Sequence, residues 1–355
     1  MNKKFASIPS SFLTPDKKHP SPIAYLFLAL LCLGFFVPGL ASLPPTDRDE
    51  SSFAQASKQM IETGNYADIR FQDEPRYKKP VGIYWLQTAS VRLFNSAHLD
   101  EIWAYRIPSF ISGIITVLMT AALGSLLFGP AAGLLAAIMM AGCLSLNVEA
   151  RLAKTDSTLL ACVMIAQYAM AKAYLKQPKD YVTPFIFWTA IGFGILIKGP
   201  IILLVVLSTL LWLRAENKNL KWFKALRPGI GIPYAALLAL PWLIVIGIAS
   251  HGQFYQESAG HDMFGKILKG EYRGIMPPGL HLLAFPLMFF PFSLYALLAI
   301  PDSWKNRHQP AVYFCLGWII PVWIVFELSL TKLPHYVLPI YPAISILAAR
   351  AMVEG

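Results

Sequence analysis

Three groups of charged side chains interrupt an otherwise apolar chain, and their types suit chemistry on a phosphate. The first is Asp47, Arg48, Asp49 and Glu50, with Arg76, Lys78 and Lys79 in the same hydrophilic stretch. The second is Glu149, Arg151, Lys154 and Asp156, four charges within eight residues between two apolar runs. The third is His251, Glu257, His261, Asp262, Lys266, Lys269 and Arg273, and Lys332 and His335 join these groups before the last apolar run. A carboxylate can accept a proton or a hydrogen bond from an attacking hydroxyl, and cations can neutralise a departing phosphate. Asp49 suits the first task. Lys79, Arg76, Lys154, Arg273 and Lys332 suit the second, as point charges or as guanidinium forks. Asp156, at a helix end in a low dielectric, needs a cation, and Lys79 or Arg48 can supply it. The plainer reading of any one charge is a solvated loop residue, and it fits the third group best. A lone histidine such as His261 is a weak candidate for a metal ligand or an acid.

These groups must be positioned by elements in a membrane. Of the 355 residues, 56% are hydrophobic and 14% charged, against about a quarter charged in a soluble domain. Apolar runs of spanning length recur at 22–42, 102–127, 130–147, 157–175, 183–197, 199–213, 229–249, 281–300, 311–328 and 336–352. They predict an all-α integral membrane bundle of about ten helices. The fifth and sixth runs are short and meet at Lys198-Gly199-Pro200, as in a broken hairpin. The net charge of +10 does not signal nucleic acid, because no basic stripe is interleaved with aromatics. Cys32, Cys143, Cys162 and Cys315 lie inside apolar runs and read as small core residues.

With the N-terminus inside, the short loops 176–182, 214–228 and 301–310 carry Lys176, Lys179, Arg214, Lys218, Lys221, Lys224, Arg227, Lys305 and Arg307. Few acids accompany them. This is the pattern of cytoplasmic loops, and it puts the three charged groups together outside. Residues 1–21 read as a cytoplasmic tail and 22–355 as one membrane domain that stops after its last span, with a long outer loop at 44–101. In that loop Phe53, Ala56, Met60 and Ile61 recur at helical spacing, which predicts an amphipathic helix capped by Asp47 or Asp49 and ended by Gly64-Asn65. Pro80 to Phe94 reads as a second, interfacial segment.

Several motifs together resemble a known family. Asp49-Glu50-x-x-Phe53-Ala54 and Tyr77-Lys78-Lys79-Pro80-Val81-Gly82-Ile83-Tyr84-Trp85 resemble the first periplasmic loop of bacterial aminoarabinose transferase-like glycosyltransferases, which group with protein mannosyltransferases. Arg151-Leu-Ala-Lys-Thr-Asp156, Ile197-Lys198-Gly199-Pro200 and Thr331-Lys332-Leu-Pro-His-Tyr336 continue the likeness, from about residue 22 to the end. The resemblance implies a GT-C type bundle and a polyprenyl-phosphate sugar donor. It places the active-site aspartate on Asp49, the lysine of the lysine–proline motif on Lys79 and the second-loop aspartate on Asp156. The family's acidic position before that lysine, which can help bind a metal, is Lys78 here. A cation cannot ligate a metal at neutral pH, so a divalent metal cofactor is doubtful. The soluble outer domain of many relatives has no counterpart before residue 355.

The expected function is transfer of a sugar from a polyprenyl-phosphate carrier to a cell-envelope lipid or glycan, on the periplasmic face of the inner membrane. A protein O-mannosyltransferase differs only in acceptor. A transporter or flippase of lipid-linked sugar would share the composition, but it usually carries internal repeats, and none is visible.

Overall fold

A computed structural model describes residues 20–217, 220–258, 260 and 277–354. Among the described residues its regular structure is helical, apart from a hairpin that pairs Arg70–Phe71 with Glu74–Pro75. Helix α1 (Pro22–Phe36) starts on Ser21, whose hydroxyl accepts the Ala24 N–H. In the loop that follows, α2 (Arg48–Thr63) is capped by Asp47, whose side chain accepts the Asp49 N–H at 2.9 Å. It ends at Gly64 with φ 72°, and it buries the Phe53, Ala56 and Met60 face read from the sequence. Helix α3 (Gly82–Phe94) follows, with Tyr84 buried and Trp85 partly exposed.

The bundle proper comprises α4 (Ile102–Phe128), α5 (Pro130–Gly142), α6 (Leu144–Glu149), α7 (Asp156–Lys176), α8 (Val182–Lys198), α9 (Ile201–Asn217) and α10 (Pro228–Ala249). The helices Pro310–Leu328 and Tyr341–Glu354 complete it. Helix α4 packs on α5 and α7, α7 on α8, and the last helix on α5. At the α4–α5 crossing a Cβ on Gly124 would stand 2.8 Å from the Gly133 Cα, so only glycines permit this approach. Among the described residues five helices, counting Pro334–Glu354 as one, are long and apolar enough to cross a bilayer. Pro22–Phe36, Pro130–Gly142 and Val182–Lys198 are shorter apolar helices.

Three expected spans are interrupted. The run 130–147 breaks at Cys143, where the backbone turns extended and the Asn147 side-chain amide donates to the carbonyls of Ala141 and Cys143. The run 281–300 is three pieces, Leu280–Met288, Ser293–Leu298 and Ile300–Lys305, in a stretch that carries Pro286, Pro291 and Pro301. The last span begins as a 3₁₀ turn, Pro334–Ile340, before the α-helix at Tyr341. Between α8 and α9 the chain reverses at Gly199, φ 66°, which separates them into two helices.

A buried ion pair joins the loop 44–101 to the bundle. Arg106 of α4 and Glu50 of α2 are 1% and 0% exposed. Arg106 donates from Nε to Glu50 Oε1 at 2.7 Å and from Nη2 to Oε2 at 3.2 Å. Its other N–H groups reach the carbonyls of Leu40 and Leu43, both at 2.8 Å, and Pro44 at 3.2 Å. Glu50 also accepts the N–H groups of Ala153 and Thr46, at 3.0 and 3.2 Å. All five guanidinium donors and both carboxylate oxygens are thus satisfied, which offsets their desolvation. Arg106→Ala strands the Glu50 charge and should cost on the order of 3–5 kcal/mol. Glu50→Gln keeps an acceptor and should cost less. Thermal unfolding of the purified protein measures both, and an Arg106→Ala midpoint equal to wild type would contradict this reading.

Candidate active site

Five chain segments meet in a polar chamber. Asp49 and Phe53 come from the start of α2, and Arg76, Lys78 and Lys79 from the turn before α3. Lys154, Thr155 and Asp156 come from the start of α7, Lys198 from the end of α8, and Leu333, His335 and Tyr336 from the turn before the last helix. The Glu50–Arg106 pair sets this arrangement, because Glu50 adjoins Asp49 in α2 and holds the Ala153 N–H beside Lys154.

The charges form an alternating chain. Lys154 donates to Asp47 at 2.9 Å and lies 3.6 Å from Glu149. His335 stands between two carboxylates, 3.7 Å from Glu149 and 3.8 Å from Asp156. Lys198 donates to Asp156 at 2.6 Å, and its ammonium sits 5.7 Å from the Tyr336 ring centroid. Arg76 lies over Phe53, 3.9 Å from Asp49, whose side chain is 61% exposed. Burial works against the Asp47 charge, but the Lys154 hydrogen bond and the Asp49 N–H hold its carboxyl below the ordinary range. Burial also works against the Lys154 charge, and Glu149, Asp156 and Asp47 outweigh it and raise the ammonium. Burial, reinforced by the Asp156 charge, pushes the Glu149 carboxyl well above the ordinary range.

The sequence candidates Asp49, Arg76, Lys79, Lys154 and Asp156 therefore line one chamber. Asp156 is held by Lys198 rather than by the expected Lys79 or Arg48. Lys332 is buried with its ammonium on the Ser329 carbonyl at 2.7 Å, and its neighbours Leu333, His335 and Tyr336 face the chamber instead. Arg273 and His261 lie outside the described residues. Lys198, Glu149 and His335 have no assigned role in the sequence reading, where Glu149 and His335 are only members of the charged groups and Lys198 part of a motif. Lys198 had a signal, as a cation closing an apolar run just before Gly-Pro.

The chamber adjoins an apolar groove. Leu159, Leu204, Val325, Phe326 and Leu338 line the groove, while Lys78, Lys79, Asp156, Lys198 and Tyr336 border both spaces. An anion with a long apolar tail fits such a junction: charge at the lysines, tail in the groove. A metal fits less well. Among the described residues no three His, Cys, Asp or Glu side chains converge on a metal position. Glu149, His335 and Asp156 approach one another, but Lys154 and Lys198 already stand against the two carboxylates.

Removing Lys198 strands Asp156, so Lys198→Met should destabilise the fold more than Lys198→Met combined with Asp156→Asn. A double-mutant cycle on thermal stability should return a favourable coupling of about 0.5–3 kcal/mol, as for residues in contact. A coupling of zero would mean that the two groups do not pair.

A family model described as dolichyl-phosphate-mannose-protein mannosyltransferase matches residues 78–245. The chain is 25% identical over 316 residues to an undecaprenyl phosphate-alpha-4-amino-4-deoxy-L-arabinose arabinosyl transferase from Pseudomonas paraeruginosa, covering 86% of this chain and 55% of the relative. It is 27% identical over 319 residues to a transferase of the same name from Enterobacter, covering 85% and 54%. The chain thus spans about half the length of the curated relatives it matches. The crystal structure of ArnT from Cupriavidus metallidurans bound to undecaprenyl phosphate superposes with TM-score 0.81 at 20% identity, over 94% of this chain and 60% of that one. The Archaeoglobus fulgidus oligosaccharyltransferase AglB, in complex with an inhibitory peptide and a dolichol-phosphate, superposes with TM-score 0.64 at 15% identity, over 93% and 50%. The resemblance read from the motifs is borne out: the chain is similar in sequence to aminoarabinose transferases, a protein mannosyltransferase model matches part of it, and its fold is that of the ArnT and AglB structures.

Proposed function

We propose that this chain is a glycosyltransferase that moves a sugar from an undecaprenyl-phosphate carrier to a cell-envelope acceptor, such as lipid A or another glycan, on the periplasmic face of the bacterial inner membrane. The observation that carries the proposal is the junction of the cationic chamber with the apolar groove. The polyprenyl chain lies in the groove and the phosphate meets Lys79, Lys198 and the cations beyond them. The relative solved with undecaprenyl phosphate supports this use of the fold.

In the reaction an acceptor oxygen bonds to the anomeric carbon while the bond from that carbon to the phosphate oxygen breaks. The departing phosphate takes the electron pair, and Lys79, Arg76 and Lys154 stabilise its charge. Asp49, open at the chamber edge, accepts the proton of a hydroxyl acceptor. If the acceptor is itself a phosphate, no base is needed and Asp49 orients it. Asp156 holds Lys198 at the junction. A protein acceptor is the second reading, favoured by the description of the matching family model.

The orientation follows from the basic loops, with 44–101 and 250–280 periplasmic and 214–228 cytoplasmic. A cysteine at position 221 should resist an impermeant reagent in intact cells; labelling there would invert the topology. Asp49→Asn should lower transfer to a hydroxyl acceptor by about a hundred- to ten-thousandfold, the usual worth of general-base help. Lys79→Ala should also impair transfer, and Lys79→Arg should restore part of it. Mass spectrometry of envelope lipids and glycans from a deletion strain complemented with each variant, at matched membrane levels, reads these effects. Full transfer by Asp49→Asn would make Asp49 structural.

A further inference from the structure

The mechanism above leaves Glu149 unused, yet Glu149 is the most enclosed acid of the cluster. It ends the short helix α6, its side chain is 4% exposed, and it does not line the chamber. It stands behind the chamber and touches two residues that do line it, Lys154 at 3.6 Å and His335 at 3.7 Å. Its Oε2 is buried without a hydrogen-bond partner.

A charge count over the contacting groups sets Glu149 apart. Lys154 gives its hydrogen bond to Asp47 at 2.9 Å, and Lys198 gives its own to Asp156 at 2.6 Å. Each of these two carboxylates therefore has an ammonium of its own. Glu149 is the third carboxylate, and the ammonium beside it, Lys154 at 3.6 Å, is already hydrogen-bonded to Asp47. Its separation from Lys154 exceeds hydrogen-bond length, and its other neighbour is an imidazole already facing Asp156. A bare, buried carboxylate oxygen with no donor is costly, whereas a neutral carboxyl group is far less so. The burial that raises the Glu149 carboxyl acts in the same sense.

We infer that Glu149 is a positioning residue that carries a proton in the resting protein, and that this neutral carboxyl lets Lys154 and His335 face an anion in the chamber. Ionised, Glu149 would compete with that anion for the Lys154 ammonium and would add a second negative charge beside Asp156. The charge of Glu149 thus sets how strongly the chamber attracts a phosphate. The groups that face it are Asp47, Lys154, Asp156, Lys198 and His335. The part of this inference that concerns turnover rests on the transferase reading; the protonation state does not.

Two measurements on the full-length protein in detergent or nanodiscs test it. Infrared difference spectroscopy should show a protonated-carboxyl C=O band at neutral pH that disappears in Glu149→Gln. Absence of the band from wild type, or its persistence in the variant, would overturn the inference. In the sugar-transfer assay the kcat/KM of wild type should fall as pH rises through the Glu149 titration. Glu149→Gln, a permanent mimic of the neutral acid, should stay within about threefold of wild type at neutral pH and should lack that alkaline fall. Glu149→Ala should lose about tenfold or more. An alkaline fall in Glu149→Gln identical to wild type would overturn the inference, even with the protein intact. A wild type that shows the band but transfers no sugar would refute the transferase reading and leave the protonated Glu149 standing.

Discussion

The buried pair between Glu50 and Arg106 fixes where the charged groups of the chamber stand. Arg106 lies on a bundle helix, and its guanidinium gathers the carbonyls of the loop that leaves α1. Glu50 lies in the first turn of α2 and also takes the Ala153 N–H. One ion pair therefore ties α1, α2, α4 and the entry to α7. Asp47, the cap of α2, and Asp49 precede Glu50, and Lys154 follows Ala153. Their approach across the chamber is a consequence of this anchor, which is rigid because each of its polar atoms is used.

Charge is then distributed on a principle of local neutrality. Asp47 with Lys154 and Asp156 with Lys198 are close pairs in a site walled by apolar helices, where an unpaired charge is expensive. Lys78 is exposed and Lys79 half-buried, whereas Lys154 is buried. On the proposed reading a phosphate meets Lys78 and Lys79 at the junction of the two spaces, with preorganised charge behind them. Little rearrangement is needed as charge moves onto a departing phosphate. The apolar groove, bordered by the same lysines, limits the ligand to one that brings its own hydrocarbon.

Much of this was legible in the sequence. The period of Phe53, Ala56 and Met60 gave α2, and Gly64 gave its end, because periodicity and a left-handed stop are local signals. The choice between Asp47 and Asp49 as cap was not legible, since both residue types suit it and only backbone geometry decides for Asp47. The run 281–300 read as one span because hydropathy does not register what its prolines do to the backbone. Asp49, Lys79, Lys154 and Asp156 were found from chemical type and motif, and they do share a chamber. Their pairing was not legible. Lys198 and Asp156 come from opposite ends of consecutive helices, and their contact depends on how α7 and α8 pack. Arg106 carried an unused signal: a cation inside an apolar run must have a partner in the protein.

The central claim is that the chamber and the groove together hold a lipid phosphate. Its most direct test is binding of undecaprenyl phosphate to the purified protein by native mass spectrometry, with undecaprenol as the comparison. The claim predicts that the phosphate-bearing lipid is retained, that undecaprenol is not, and that Lys79→Ala with Lys198→Met, measured on the fraction that elutes as folded protein, abolishes the difference. Equal retention of the two lipids by wild type, or undiminished preference in the double variant, would contradict it.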